Sequence, residues 1–146
     1  MNAQRPLSAQ SMHATTVAIG GRAVLIAGPS GAGKSDLALR LLDRGFTLVS
    51  DDQTVVRRDG DRLVASAPPQ IAGKLEVRGI GILDVETTAD VPVALLVELT
   101  VDMDRLPDET RERSVLGLAL PLVTIDAMTA SAPAKVALAL DRLGLK

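Results

Sequence analysis

A chain of 146 residues, 47% of them hydrophobic, is long enough to bury one core without covalent staples. It has no Cys, which removes disulfides, thiolate metal sites and cysteine nucleophiles and agrees with a reducing cytoplasm. A net charge of −2 over interspersed acids and bases leaves no basic field for nucleic acid, and one Phe with no Tyr or Trp leaves no stacking platform for single strands.

Residues 1–12 read as a flexible polar tail ahead of a single domain over 13–146. Met1–Ser11 carries one Arg and none of the apolar core of a secretory leader. No apolar run reaches the roughly 18 residues of a membrane span. Thr16–Ile19 and Arg22–Ile26 flank Gly20-Gly21, a two-residue hairpin signal, so an antiparallel pair is expected to lead into the next segment. That segment, residues 28–35, is Gly-Pro-Ser-Gly-Ala-Gly-Lys-Ser, a full G-x-x-x-x-G-K-[ST] phosphate-binding loop. The apolar run Ala23–Ala27 before it suits a buried strand, and Asp36–Arg44 after it suits an amphipathic helix stopped by Gly45. Gly28, Gly31 and Gly33, interleaved with Pro29, Ser30 and Ala32, let backbone N–H groups turn toward an anion. The helix start near Lys34 and Ser35 adds its positive dipole end. Lys34 can reach the β- and γ-phosphates and the Ser35 hydroxyl can ligate Mg²⁺, so the loop predicts a bound nucleoside triphosphate with magnesium.

Beyond the first helix, Phe46–Ser50 reads as a strand, and Val55–Arg58 with Arg62–Ala65 as a hairpin around Asp59-Gly60-Asp61. Pro68-Pro69 breaks the pattern, and a loop rich in Gly and charge runs to Gly81. Ile82–Val85, Val93–Leu99 and Leu122–Ile125 are apolar runs suited to central strands. Ser131 can cap a last helix over Ala132–Leu143, with Pro133 in its first turn and Gly144 at its end. Two helices against about eight strands predict an α/β fold built on a mixed sheet rather than alternating βαβ units.

A phosphate loop needs partners for metal and chemistry. Asp51-Asp52 stands at the carboxyl end of the Phe46–Ser50 strand, and next to the loop strand that end would face the same crevice. One carboxylate could then hold Mg²⁺ or its water and the other take a proton from an attacking hydroxyl. Glu76-Val-Arg78-Gly-Ile-Gly81 is poor strand and poor helix material. It reads equally as a loop that brings Glu76 and Arg78 to a ligand and as a bulge with a surface ion pair. His13, the only His, stands where surface decoration is the commoner role. Arg105 follows the longest apolar run and could stabilise charge. Glu98, inside that run, reads as a strand-face residue rather than a metal-binding acid.

Together these residues resemble the catalytic domain of bacterial HPr kinase/phosphorylase, which phosphorylates a serine of the phosphocarrier protein HPr. The resemblance runs from His13 to about Ile125. It rests on Gly28–Ser35 followed by an acid and Leu-Ala-Leu, on Arg44-Gly45, on Leu48-Val-Ser-Asp-Asp52, on Ala67-Pro68 and on Leu75–Asp84, a decapeptide similar to the family signature. His13 stands 21 residues before Lys34 and Asp52 stands 18 after it, the family's spacing for its catalytic His and Asp. The resemblance implies a nucleotide-binding fold like that of PEP carboxykinase. It implies Asp52 as the base that deprotonates the acceptor serine, His13, Lys34 and Arg105 as active-site residues, and Ser35 and Glu76 as Mg²⁺ ligands. The expected substrates are ATP and an HPr-like carrier, and the expected assembly is a homo-oligomer, a hexamer built through catalytic domains.

Two departures stand beside it. Only a dozen residues precede His13, where the family enzyme usually carries an N-terminal domain. The stretch Asp126–Ala132 lacks the Arg and Asn of a family segment linked to phosphorolysis, which separates that activity from the kinase expectation. In Asp104-Arg-Leu-Pro107 the Pro replaces a family Gly; Asp141–Leu145 spells that stretch better but lies on or past the final helix. Two other readings keep the same loop: an ATP-binding regulatory module that transfers nothing, and a small-molecule kinase.

Overall fold

The computed structural model of the chain describes residues 8–101 and 111–146. Its first strand, β1 (Ala9–Met12), lies inside the stretch expected to be a tail and pairs antiparallel with β5 (Thr54–Asp59), Ala9 opposite Arg57 and Met12 opposite Thr54. Three of its four residues are exposed, so its apolar content carries no signal: the backbone ladder, not burial, holds it in place.

β2 (Ala14–Ile19) and β3 (Arg22–Ala27) form the expected hairpin, with Gly20 and Gly21 at φ 61° and 76° in the two turn positions that a side chain would disfavour. β9 (Val91–Leu99) lies parallel to β3, and β11 (Leu118–Ile125) lies parallel to β9. β4 (Thr47–Ser50) pairs antiparallel with β2, and β6 (Arg62–Ser66) joins β5 to β9. The order is β1-β5-β6-β9-β3-β2-β4, with β11 also on β9 and β10 (Arg111–Val115) on β11. The sheet is therefore mixed. β4 was expected beside the loop strand β3; β2 lies between them. Because β2 is antiparallel to both, the carboxyl ends of β3 and β4 still point to the same edge, which brings Asp51-Asp52 and the glycine-rich loop to one side of the sheet.

Alternate residues of β3 divide between two cores. Val24 and Ile26 face α1 (Lys34–Leu42) and α2 (Ala132–Leu143), where Leu37, Leu41, Val136 and Leu140 close over them. Ala23 and Leu25 face the opposite side with Val56, Leu63, Leu96 and Leu120, on which the long sheet curls. Each fully buried Leu adds about 1.5–3 kcal/mol to the folded state. The alternation slips once. Ala23 pairs with Val93 and Val24 with Leu95, so Ala94 is an extra residue, and Ala94 and Leu95 both reach the helix-covered core. The bulge frees the Ala94 carbonyl, which accepts the Leu145 N–H at 2.9 Å and ties the end of α2 to the sheet.

The largest departure is at residues 74–84. Where a loop and then a central strand were expected, β7 (Lys74–Val77) and β8 (Gly81–Asp84) form a separate antiparallel hairpin. Its register sets Glu76 opposite Ile82. Only Leu75 is buried, in the helix-covered core, while all four residues of β8 are exposed, so an apolar run here does not mark a central strand. β10 was also missed, because Arg111-Glu-Arg-Ser is polar and exposed, and β11 begins four residues earlier than its apolar signal. α2 has the expected bounds. Ser131 does occupy its N-cap, but makes no side-chain capping bond.

Candidate active site

The phosphate loop joins β3 to α1 at the carboxyl edge of the sheet. Gly33 is the N-cap of α1 at φ 99°, and a Cβ there would stand 3.3 Å from the Ala127 Cβ, so both its backbone and its surroundings favour glycine. No side-chain cap closes the start of α1, which leaves its first-turn N–H groups and dipole end directed at the loop. Lys34 is buried and its ammonium donates to the carbonyls of Gly28 at 2.8 Å and Pro29 at 3.1 Å. The cation thus arches over the loop, with one of its three protons left for an anion. An uncapped helix start, a glycine cradle and an arching cation fit a polyphosphate.

Asp51 and Asp52 follow β4, and the backbone separates them. Asp52 sits at φ 67°, a left-handed conformation that Asp tolerates better than most residues, and the twist sends the two side chains opposite ways. Asp51 turns inward and is 8% exposed. Its Oδ1 accepts the Ser35 hydroxyl at 2.6 Å and the Thr15 hydroxyl at 3.1 Å, and its Oδ2 accepts the Glu76 N–H at 3.0 Å. A partly buried carboxylate with three donors needs no further compensation. The bond from Ser35 directs that hydroxyl's proton to Asp51 and leaves its lone pairs to a cation.

Asp52 turns outward, with its side chain 64% exposed, and its Oδ1 accepts the N–H of His13 Nε2 at 2.8 Å. His13 is the single residue between β1, anchored on β5, and β2, anchored on β3 and β4; two ladders fix its backbone beside the Asp52 turn. Ser11 Oγ also donates to Gln53 Oε1 at 2.9 Å, and Gln53 N–H returns to the Asp51 carbonyl at 2.7 Å, so β1 braces the same turn. The residue pair chosen by spacing is therefore a contact in space.

Glu76 reaches the site through its backbone N–H, which ties the β7–β8 hairpin to Asp51, and its side chain is exposed. Arg78 lies exposed in the tip of the same hairpin, next to the turn closed by Ile80 N–H to Val77 O at 3.0 Å. Arg105 lies outside the described residues. Glu98 pairs with Arg113 of β10 across the sheet, as a strand-face residue. Among the described residues no group of three or more His, Cys, Asp or Glu gathers to hold a metal; the oxygen donors that converge by the loop are Ser35 and Asp51.

Sequence reasoning missed Thr15, whose hydroxyl joins both aspartates, and Arg40. Arg40 of α1 donates to the carbonyl of Ala127 and, at 3.2 Å, to that of Thr129, pinning the segment after β11 against the start of the loop helix. The one available signal for Thr15 was polarity: Thr15-Thr16 interrupts the otherwise apolar, fully buried run from Ala14 to Ala18.

The family model for the HPr Serine kinase C-terminal domain matches residues 5–140. The chain belongs to that family. It is 39% identical over 133 residues to an HPr kinase/phosphorylase of Limosilactobacillus reuteri, covering 82% of this chain and 42% of that protein. To the HPr kinase/phosphorylase of Chlorobium phaeobacteroides it is 35% identical over 129 residues, covering 80% and 38%. A solved structure of the Hpr(Ser) kinase/phosphatase from Coxiella burnetii superposes with a TM-score of 0.79 at 29% identity, over 90% of this chain and 94% of that one. The chain thus spans about two fifths of the curated relatives' length and nearly all of the solved chain. The mixed α/β fold agrees with this membership.

Proposed function

We propose that this chain is an ATP-dependent protein-serine kinase whose acceptor is an HPr-like phosphocarrier protein. One observation carries the reading: two adjacent carboxylates beside a phosphate loop face opposite ways, Asp51 inward on Ser35 and Asp52 outward on His13. A carboxylate that is exposed and held at 2.8 Å by an imidazole is open to a seryl hydroxyl presented by another protein. In the proposed reaction Asp52 takes the proton of that hydroxyl, the seryl oxygen bonds to the γ-phosphorus, and the bond to the ADP oxygen breaks. His13 orients Asp52 and, by donating to it, keeps its reactive oxygen fixed. Lys34 and the N–H groups of Gly28–Ser35 bind the phosphates, and Arg105 is proposed to offset charge as it develops. Mg²⁺, held by Ser35 and Glu76 with Asp51 behind Ser35, would neutralise phosphate charge; Arg78, on the Glu76 hairpin, is placed at the rim.

In the phosphorolysis direction inorganic phosphate would attack the phosphorus of the seryl phosphate, the bond to the seryl oxygen would break as pyrophosphate forms, and protonated Asp52 would give its proton to that departing oxygen. The Asp126–Ala132 stretch, without the family's Arg and Asn, makes this the weaker direction. Absence of Cys supports a cytoplasmic setting, and no helix among the described residues is long and apolar enough to cross a membrane. Self-association, up to a hexamer, is also proposed. It is supported by apolar side chains left in water at Ile80, Ile82 and Leu138, the first two 72% and 70% exposed.

The deciding experiment mixes the chain with Mg²⁺ and γ-labelled ATP and either HPr or HPr whose acceptor Ser is replaced by Ala. Label is expected on HPr alone. ATP binding with no transfer to any carrier would support a regulatory module, and ATP consumption with a small acceptor only would support a small-molecule kinase; either overturns the protein-kinase reading. Light scattering on the active preparation tests assembly, and a monomeric mass there would refute an assembly requirement.

A further inference from the structure

Thr15 is completely buried and takes no part in the reaction proposed above. Its hydroxyl has one proton and two lone pairs, and it meets two consecutive residues. It accepts the Asp52 N–H at 3.0 Å and donates to Asp51 Oδ1 at 3.1 Å. One hydroxyl thereby fixes both ends of the peptide at which the chain enters the left-handed conformation of Asp52. The neighbouring Thr16 makes a useful contrast. Thr54 gives its single proton to the Ala14 carbonyl at 2.8 Å, so at 2.8 Å from Thr54 Oγ1 the Thr16 hydroxyl must be the donor. That pair ties β2 to β5 and touches neither aspartate. Packing alone would be served at position 15 by Val, which has the same branched shape and suits a buried strand. What Val lacks is the group that the Asp51–Asp52 turn uses.

We propose that Thr15 is a positioning residue for phosphoryl transfer: its hydroxyl holds the Asp51–Asp52 turn so that Asp51 stays on Ser35 while Asp52 stays on His13. The catalytic half of this rests on the kinase reading; the geometric half stands without it. Removing the hydroxyl leaves the Asp52 N–H and one Asp51 lone pair without their partner and frees the turn to relax from its left-handed form, which moves Asp52 from His13 while Lys34 keeps its bonds to the Gly28 and Pro29 carbonyls.

The test uses the intact chain. His13 is its only histidine, so the ring signals in an NMR spectrum report the Asp52 contact at one site, with no nucleotide present. Asp52→Asn supplies the reference for a lost carboxylate. In Thr15→Val the His13 ring shifts should move away from wild type toward that reference, kcat for transfer to HPr should fall about 10–100-fold, as losses of outer-layer partners do, and KM for ATP should stay within about twofold. Thr15→Ser, which restores the hydroxyl, should recover the shifts and most of kcat. Wild-type shifts and kcat in Thr15→Val overturn the proposal. So does a Thr15→Ser as impaired as Thr15→Val, since the methyl and not the hydroxyl would then matter. If Thr15→Val fails to fold, Thr15→Ala against Thr15→Ser gives the same contrast with the same deciding results. Should the ring shifts follow the prediction while the wild-type chain phosphorylates nothing, the kinase reading fails and the positioning of Asp52 stands.

Discussion

Asp52 and Asp90 are nearly the same local structure in two parts of the molecule. Both are aspartates in left-handed backbone, at φ 67° and 55°. Both side chains are 64% exposed, and both meet a nitrogen base at 2.8 Å, His13 for Asp52 and Arg57 for Asp90. Each N–H also donates to a buried or half-buried hydroxyl, Thr15 at 3.0 Å and Ser66 at 3.3 Å. The difference is what lies alongside. Asp52 follows Asp51, which accepts the Ser35 hydroxyl of the phosphate loop at the carboxyl edge of the sheet; Asp90 precedes β9 at the opposite end. A hydroxyl-braced left-handed aspartate is thus a device this fold uses to fix a carboxylate in solvent, and only its address makes one of them a candidate base. Chemistry here follows from location in the sheet, not from the local motif.

The comparison breaks most visibly at Asp52→Asn. Asn adopts the same backbone and keeps nearly the same shape but cannot take a proton, so transfer to the carrier should fall by about 10²–10⁴-fold, the usual worth of a positioned base. ATP affinity and melting temperature should change little, because Asp52 touches neither the loop nor the core. Parallel kinetics and nucleotide titration check this. Near-normal turnover would remove Asp52 from the proposed role, and the same loss in Asp51→Asn alone would transfer the role to its neighbour.

Asp51→Asn should give the opposite profile. The amide would present N–H groups where three donors now converge from Ser35, Thr15 and Glu76. At least one buried donor would lose its acceptor, at about 1–3 kcal/mol. Orientation of the Ser35 hydroxyl would be lost with it, so Mg²⁺ should bind about 10–100-fold more weakly. Thermal unfolding and Mg²⁺ titration in the presence of ATP would show both effects together; a change in rate with unaltered stability and metal affinity would contradict the inward assignment of Asp51.

How far the sequence carried this reading differs by residue for physical reasons. The loop from Gly28 to Ser35 was legible because its motif lies on consecutive residues between a strand and a helix. The β2–β3 hairpin was legible because Gly20-Gly21 allows positive φ on both. His13 and Asp52 were selected only by their spacing to Lys34 in a resemblance, since their contact depends on β1 pairing with β5 and β4 pairing with β2, both distant in sequence. β1 and β10 escaped because polar, mostly exposed strands owe their pairing to backbone bonds that leave no side-chain pattern, and β7 because its alternation spans only the four residues Lys74–Val77. Ile82–Val85 misled because a small hairpin beside the sheet exposes residues that a central strand would bury. The residues alone left Asp51 and Asp52 interchangeable and the resemblance chose Asp52 as the base; what the sequence did not show is that Asp51 faces inward on Ser35 and Asp52 outward on His13.

Asp90 gives the smallest and most discriminating effect. The Arg57 guanidinium, together with the Ser66 hydroxyl, holds its carboxyl below the ordinary value against a weaker opposing push from burial. A carboxyl depressed in the folded state adds stability that is fully present above its unfolded value, about 3.9, and is lost as pH falls through the lower folded value. The pair is exposed, so screening keeps the contribution small. Asp90→Asn retains a side chain suited to left-handed backbone but removes the charge. Its melting temperature should therefore lie slightly below wild type at pH 6, and the gap should begin to narrow as pH falls below about 3.9 and vanish below the lower folded value, where the folded wild type is protonated too. Phosphoryl transfer at neutral pH should match wild type. A gap of constant size down to acid pH would mean that the Arg57 contact does not stabilise the fold through charge, and a loss of transfer comparable to that of Asp52→Asn would mean that bracing an aspartate, wherever it stands in the sheet, matters more than its place beside the phosphate loop.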